Sequence, residues 1–229
     1  IGLPGTVYMP EIINPQKYSA SLNNISVKNN YIDGIGNEYR GSAALSVGFV
    51  SNSAVEHNEI CNIPYSGIHI GWGWTLVTNS AIENLNVRYN YIHDIMNPDD
   101  GLYDGGAIYT LGGTSGNNLI AENYIANQMN ICAALYADNG SSNYRIENNV
   151  INEYNVKWDG SEPIWALGNN GAYDIVYSEN YTTTNVFYMR GKNMTVSDTV
   201  HVPNAMWDSK ALAIIANAGL EAQYAYLRE

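Results

Sequence analysis

The chain has 229 residues, of which 45% are hydrophobic and only 14% charged, and its 10 Lys plus Arg against 22 Asp plus Glu give a formal net charge of -12. A field of that sign repels nucleic acid, anionic lipid and polyanionic substrates, so a neutral partner fits best and neither nucleic acid nor membrane is expected to bind. No stretch approaches the ~18 apolar residues of a transmembrane helix, and the abundance of Gly (21) and Tyr (19) favours strands and turns in one domain.

After a leading segment of about residues 1–22, one pattern returns along the chain. It reads ISVKNNYI (25–32), SAVEHNEI (53–60), LNVRYNYI (85–92), NLIAENYI (118–125), YRIENNVI (144–151) and IVYSENYT (175–182), with MTVSDT (194–199) as a weaker last copy. Each full copy has an apolar residue three places before an Asn, and successive Asn residues (30, 58, 90, 123, 149, 180) are spaced by 28, 32, 33, 26 and 31. Between copies lies a second apolar strand: AALSVGF, SGIHIGW, GGAIYTL, CAALYAD, EPIWALG and NVFYMRG. A repeat this short cannot bury its own apolar face, whereas stacked copies form one continuous core and a ladder of Asn side chains. The expected fold is all-β, a right-handed parallel β-helix, with coils over about 23–200.

Taken in order, the first segment that exceeds the needs of stacking is Tyr65-Ser-Gly-Ile-His-Ile-Gly-Trp-Gly-Trp74. Glycines beside Trp72 and Trp74 leave flat aromatic faces on which sugar rings stack, and His69 beside them offers a hydrogen bond to a hydroxyl. Next comes the longest polar insertion, from Asn97 to Gly112, with Asp99, Asp100 and Asp104. Asp104 abuts the strand that carries Tyr109, which favours a rigidly held carboxyl; a turn or a calcium site with Asp99 and Asp100 is the alternative. One repeat later, Asp138 ends the strand in ALYADNGSS.

Counted from the Asn of their own repeats, Trp72, Asp104 and Asp138 fall at offsets 14 (72 − 58), 14 (104 − 90) and 15 (138 − 123). That places them in one phase of consecutive coils, where ~4.8 Å steps bring two carboxylates to the separation of a glycosidase acid pair. Aligning AIYTLG with ALYADN instead puts the two acids at opposite ends of their strands. The sequence leaves both alignments open.

His57, His69, His93 and His201 show no metal-ligand spacing, and Cys61 and Cys132, two coils apart, are expected as free buried thiols. Sequons occur at Asn24, Asn139, Asn180 and Asn193. Asp208 and Ser209 begin a helical stretch, KALAIIANA, that ends at Gly219, so residues 201–229 are expected to cap the last coil. Nothing comparable precedes Ile25, which suggests part of a longer precursor whose N-terminal portion, or another chain, covers the open end.

The segments PYSGIHIGWGW, RYNYIHDIMNPDDGLYDGGAIYTLG, LYADNGSSNYRIENNV and ALAIIANAGLEAQYAYL resemble the C-terminal half of secreted right-handed β-helix glycosidases, nearest glycoside hydrolase family 141 and more distantly the β-xylosidases of family 120. The resemblance covers residues 23–229. It implies a secreted hydrolase of xylan- or fucoside-like glycans with Asp104 and Asp138 as the acid pair. Joined to the residue reading above, the expectation is an extracellular or periplasmic enzyme for a neutral glycan, with Trp72, Trp74, His69 and Tyr109 at the sugar and no cofactor unless calcium binds. Asn139 departs from the family pattern, which tends to carry a second acid there, as in LDEGSS. Two rivals stand beside this reading. A polysaccharide lyase needs cations such as Arg88, Arg145, Arg190 and Lys192 to neutralise a uronate; a non-catalytic carbohydrate-binding solenoid uses the aromatics alone.

Overall fold

The computed structural model describes residues 22–97, 99, 102–129, 132–153 and 160–229, so the leading segment and Asp100 lie outside it. Its strands form three long parallel sheets, to each of which every coil but the last contributes one strand, and a short parallel pair, Leu22–Asn23 with Val50–Ser51. The first sheet has seven strands, from Ser26–Lys28 to Lys192–Ser197. The second has seven, from Tyr31–Asp33 to Val200–His201. The third has six: Leu45–Val47, Ile68–Gly71, Ile108–Leu111, Leu135–Ala137, Ile164–Gly168 and Val186–Met189. The chain is a parallel β-helix, as its repeat implies. Among the described residues no helix is long and apolar enough to cross a membrane.

The repeat explains the stacking. Val27, Val55, Val87, Ile120, Ile146, Tyr177 and Val196 are register partners down the first sheet, so the weak copy MTVSDT is a true coil. The five from Val55 to Tyr177 are fully buried in one core, the Val and Ile side chains each worth roughly 1.5–3 kcal/mol of apolar burial. The residue before each ladder Asn has left-handed backbone, as at His57 (φ 53°), Tyr89 (φ 56°) and Glu122 (φ 54°), and turns the chain from the first sheet into the second.

At that corner the Asn ladder forms. Each amide donates to the next Asn Oδ1, at 2.8 Å (Asn30 to Asn58), 2.9 Å (Asn58 to Asn90, Asn90 to Asn123, Asn123 to Asn149) and 3.0 Å (Asn149 to Asn180). The same amides reach the carbonyl of the apolar residue one coil back, as Asn90 does to Val55 at 2.9 Å. Asn180, one of the sequons, is consumed by this ladder and has no exposure.

The helix α1 (Ser209–Asn217) forms where the sequence places it, with Asp208 accepting from the Ala211 amide at 2.8 Å. Ala211 and Ile214 pack on Val150 and Tyr181 of the second sheet, and the chain then runs back along the flank towards the first coil. Gly219 donates to the Tyr89 carbonyl at 2.8 Å, Glu221 accepts from Asn29 at 2.7 Å, and Arg228 pairs with buried Glu59. Apolar and charged partners for the tail lie on that flank, while Phe187, Tyr188 and Val200 of the last coil stay exposed. Among the described residues neither Cys61 nor Cys132 forms a disulfide; the first is buried and the second half-buried.

Candidate active site

Alternation along the third sheet sends Ile68 and Ile70, Ile108 and Thr110, Leu135 and Ala137 into the core and leaves the residues between them facing outward. The outward column runs Ser46, His69, Tyr109, Tyr136, Leu167, Tyr188, each a register partner of the next. The ladder continues past the strand ends, because the Asp138, Asn169 and Arg190 amides each donate to the preceding coil at 3.0, 2.8 and 2.8 Å. Asp138, Asn169 and Arg190 therefore stand in phase on three successive coils, on the same side as Tyr109 and Tyr136.

Asp138 is only 3% exposed, and its carboxylate is the hub of this face. Oδ2 accepts from the Tyr109 hydroxyl at 2.6 Å, and Oδ1 accepts from Asn169 Nδ2 at 2.7 Å and from the Tyr136 hydroxyl at 3.3 Å. Burial, followed by the neighbouring carboxylate charge, pushes Tyr109 and Tyr136 well above the usual phenol range, so both act as donors and neither ionises. His69 sits edge-on to Tyr109, with ring centroids 4.9 Å apart. Burial pulls it down to about 4 against the opposing pull of Asp138, which leaves a neutral ring with its Nε2 buried and unpartnered.

The shared phase of Trp72, Asp104 and Asp138 does not survive the observed register. Tyr109 pairs with Tyr136, so Asp138 aligns with Leu111 and Asp104 precedes its strand. The ruler fails because insertions enter at different corners: the third-sheet strand starts 10 residues after the ladder Asn in one coil (68 − 58), 18 in the next (108 − 90) and 12 in the third (135 − 123).

The loop nevertheless folds back over the sheet. Tyr65 donates to the Asp104 carbonyl, and the Gly106 amide donates to Ser66 Oγ at 3.3 Å. Gly105 packs so closely there that a Cβ would lie 2.5 Å from Ser66 Oγ and 2.8 Å from a Tyr65 ring carbon. So held, the exposed Asp104 side chain lies close enough to Tyr136 and Asp138 to interact with both. Desolvation, followed by the charge of Asp138, pushes Asp104 above the usual carboxyl range, and the Tyr136 hydroxyl opposes that shift. The Tyr136 hydroxyl donates to Asp138, and Asp104 approaches the same face from the loop.

Trp72 and Trp74 stack obliquely at 5.7 Å beyond the end of the Ile68–Gly71 strand. Trp74 is 41% exposed, whereas Trp72 is half-buried with its Nε1 enclosed. Their loop crosses the strand ends: Gly140, two residues past Asp138 and with φ 86°, passes beneath the Trp74 carbonyl where a Cβ would collide. The third sheet therefore carries an acid pair bordered by the Asp104 loop at the strand starts and by an exposed tryptophan at their ends.

Three residues here escaped the sequence reading. Tyr136 lies two places before Asp138 and shares its face by strand alternation, a signal that was present. Asn169 follows from aligning WALGN with LYAD. Tyr65 had no signal, since it meets Asp104 only through the folded-back loop. Among the described residues no group of three or more His, Cys, Asp or Glu is placed to hold a metal ion.

No family model matches the chain, and no curated protein matches it. A solved structure described as "Glycoside hydrolase" is similar, with a TM-score of 0.61 and 24% identity over 93% of this chain. The chain spans 30% of that structure's length, and the likeness is one of fold.

Proposed function

We propose that this β-helix is the catalytic part of an extracellular or periplasmic glycoside hydrolase acting on a neutral plant or cell-wall type glycan, xylan- or fucoside-like. The observation that carries the reading is Asp104 set within the electrostatic reach of Asp138, two carboxyl groups of unequal environment, one exposed and one buried and held by Tyr109, Tyr136 and Asn169. A similar fold in a structure described as a glycoside hydrolase supports it.

Asp104, exposed and shifted towards its protonated form, gives its proton to the glycosidic oxygen as the C–O bond breaks. Asp138, held by Tyr109 and Asn169, serves the anomeric carbon as nucleophile or as base for the attacking water. The 3.3 Å contact to Tyr136 is the longest of its hydrogen bonds and the one a substrate displaces. Trp74 offers the sugar an open face. This chemistry asks for two carboxyl groups and water, and for no cofactor.

A lyase is disfavoured by the fate of its cations, since Arg88 is paired with Glu122 and Arg145 with Glu147, both on the first sheet. The test is a screen of the chain against aryl glycosides and neutral plant polysaccharides beside the Asp138→Asn variant. Turnover by the parent and none by the folded variant supports the proposal. Full activity in the variant, or calcium-dependent formation of an unsaturated uronate, overturns it. Glycan affinity without turnover under any condition makes the chain a binding solenoid instead.

A further inference from the structure

Four cations were candidates to meet a substrate, and the structure separates them. Arg88 and Arg145 are neutralised by glutamates on the first sheet. Arg190 makes no ion pair among the described residues and lies in the ladder that runs from Asp138 through Asn169. Its guanidinium sits 5.5 Å from the centroid of the Tyr188 ring, and Tyr188, 45% exposed, ends the outward column that contains Tyr109 and Tyr136. Lys192, two residues on, borders a hollow of ≈ 400 Å³ shared with Asn170, Tyr173, Asp174 and Asn193.

We propose that Tyr188 and Arg190 form a distal subsite for an acidic sugar, so that the substrate is a largely neutral glycan carrying a uronate and laid along the solenoid axis from Asp138 towards the last coil. This rests on the glycan-hydrolase reading above and deepens it. Asp138 and Arg190 are two coil steps apart, roughly 10 Å, and a pyranose ring is about as long as one step, so the uronate lies one or two sugars from the reacting bond. At that distance the guanidinium cannot neutralise a carboxylate at the reacting carbon, as lyase chemistry demands; it recognises a substituent. The exposed ring of Tyr188 lies beside the guanidinium and offers a sugar an aromatic surface, and a planar fork matches a carboxylate in two hydrogen bonds. The overall charge of -12 repels a polyanion, while one local cation tolerates a single acidic sugar on a neutral backbone.

The test uses oligosaccharides released from glucuronoxylan and from pectin, each paired with its carboxyl-reduced counterpart. Binding is measured by titration calorimetry in the Asp138→Asn background, with Asp104→Asn as a second background. The expected result is that at least one acidic form binds about tenfold more tightly than its reduced form. Arg190→Gln should abolish that preference without changing affinity for the reduced form, and Arg145→Gln should leave both unchanged. No carboxylate preference in either background, or a preference that persists in Arg190→Gln, overturns the proposal. Binding selectivity without hydrolysis by the parent chain would remove the hydrolase reading and leave the subsite standing, whereas hydrolysis indifferent to the carboxylate would do the reverse.

Discussion

The Tyr109 hydroxyl donates a 2.6 Å hydrogen bond to Asp138 Oδ2 across one coil of the solenoid. It is a donor to a carboxylate only 3% exposed, and such bonds are worth about 1.5–3 kcal/mol. Tyr109→Phe should lower kcat on an aryl glycoside by about 10- to 100-fold, with the circular dichroism of the fold unchanged. Parent-like kcat in that variant would show that Asp138 does not depend on Tyr109.

Tyr136 tunes the acid pair. Its hydroxyl opposes the upward shift of Asp104, so Tyr136→Phe should raise that group further. A general acid with a higher pKa stays protonated to higher pH, and the alkaline limb of the kcat/KM profile should move up. A limb that stays in place or moves down contradicts the assignment of Asp104 as the acid.

The same shift has a sign for stability. Because the folded state holds the Asp104 proton more tightly than the unfolded chain, this group's stabilisation is full below the unfolded carboxyl pKa and is lost as pH rises through the folded one. At pH 7 its ionised form opposes Asp138. Asp104→Asn should therefore raise Tm at pH 7 while abolishing turnover, and the gain should shrink at pH 3.

The ladder is most demanding in its middle. Asn90 has no exposure and satisfies the Asn58 amide, the Val55 carbonyl and Asn123 Oδ1. Asn90→Ala orphans several buried groups and should cost on the order of 3 kcal/mol or more in urea unfolding. Asn30→Ala, at the exposed end, should cost about 1 kcal/mol. Equal costs at the two positions would argue against a cooperative ladder.

The C-terminal tail acts as a flank strap. Arg228 pairs with Glu59, whose side chain is 7% exposed, although Arg228 itself is 42% exposed and partly screened. Arg228→Met should destabilise by about 1–3 kcal/mol, and adding Glu59→Gln should recover part of that loss by removing the stranded charge. Chemical denaturation of the two variants checks both signs.

The sequence by itself determined the solenoid. An apolar residue three places before an Asn, returning six times and followed by a seventh copy with Thr199 in the place of Asn, has one economical solution, because an inward column and a buried amide ladder need neighbours on both sides. It also marked Asp138 and Tyr109, which lie on or beside regular strands where alternation fixes the outward face, and Trp74 in the turn beyond one. Tertiary structure decided the remainder, for reasons of loops and of seats. Insertions at different corners made offsets from the Asn misleading, so the position of Asp104 depends on Tyr65, Ser66 and Gly105 pinning a folded-back loop. The tail's apolar residues were legible as a helix, but only the flank formed by Val150, Tyr181, Tyr89 and Glu59 shows where that helix and the strand of chain after it lie. Local pattern specifies what repeats; the contacts between non-repeating segments bring Asp104 within the electrostatic reach of Asp138.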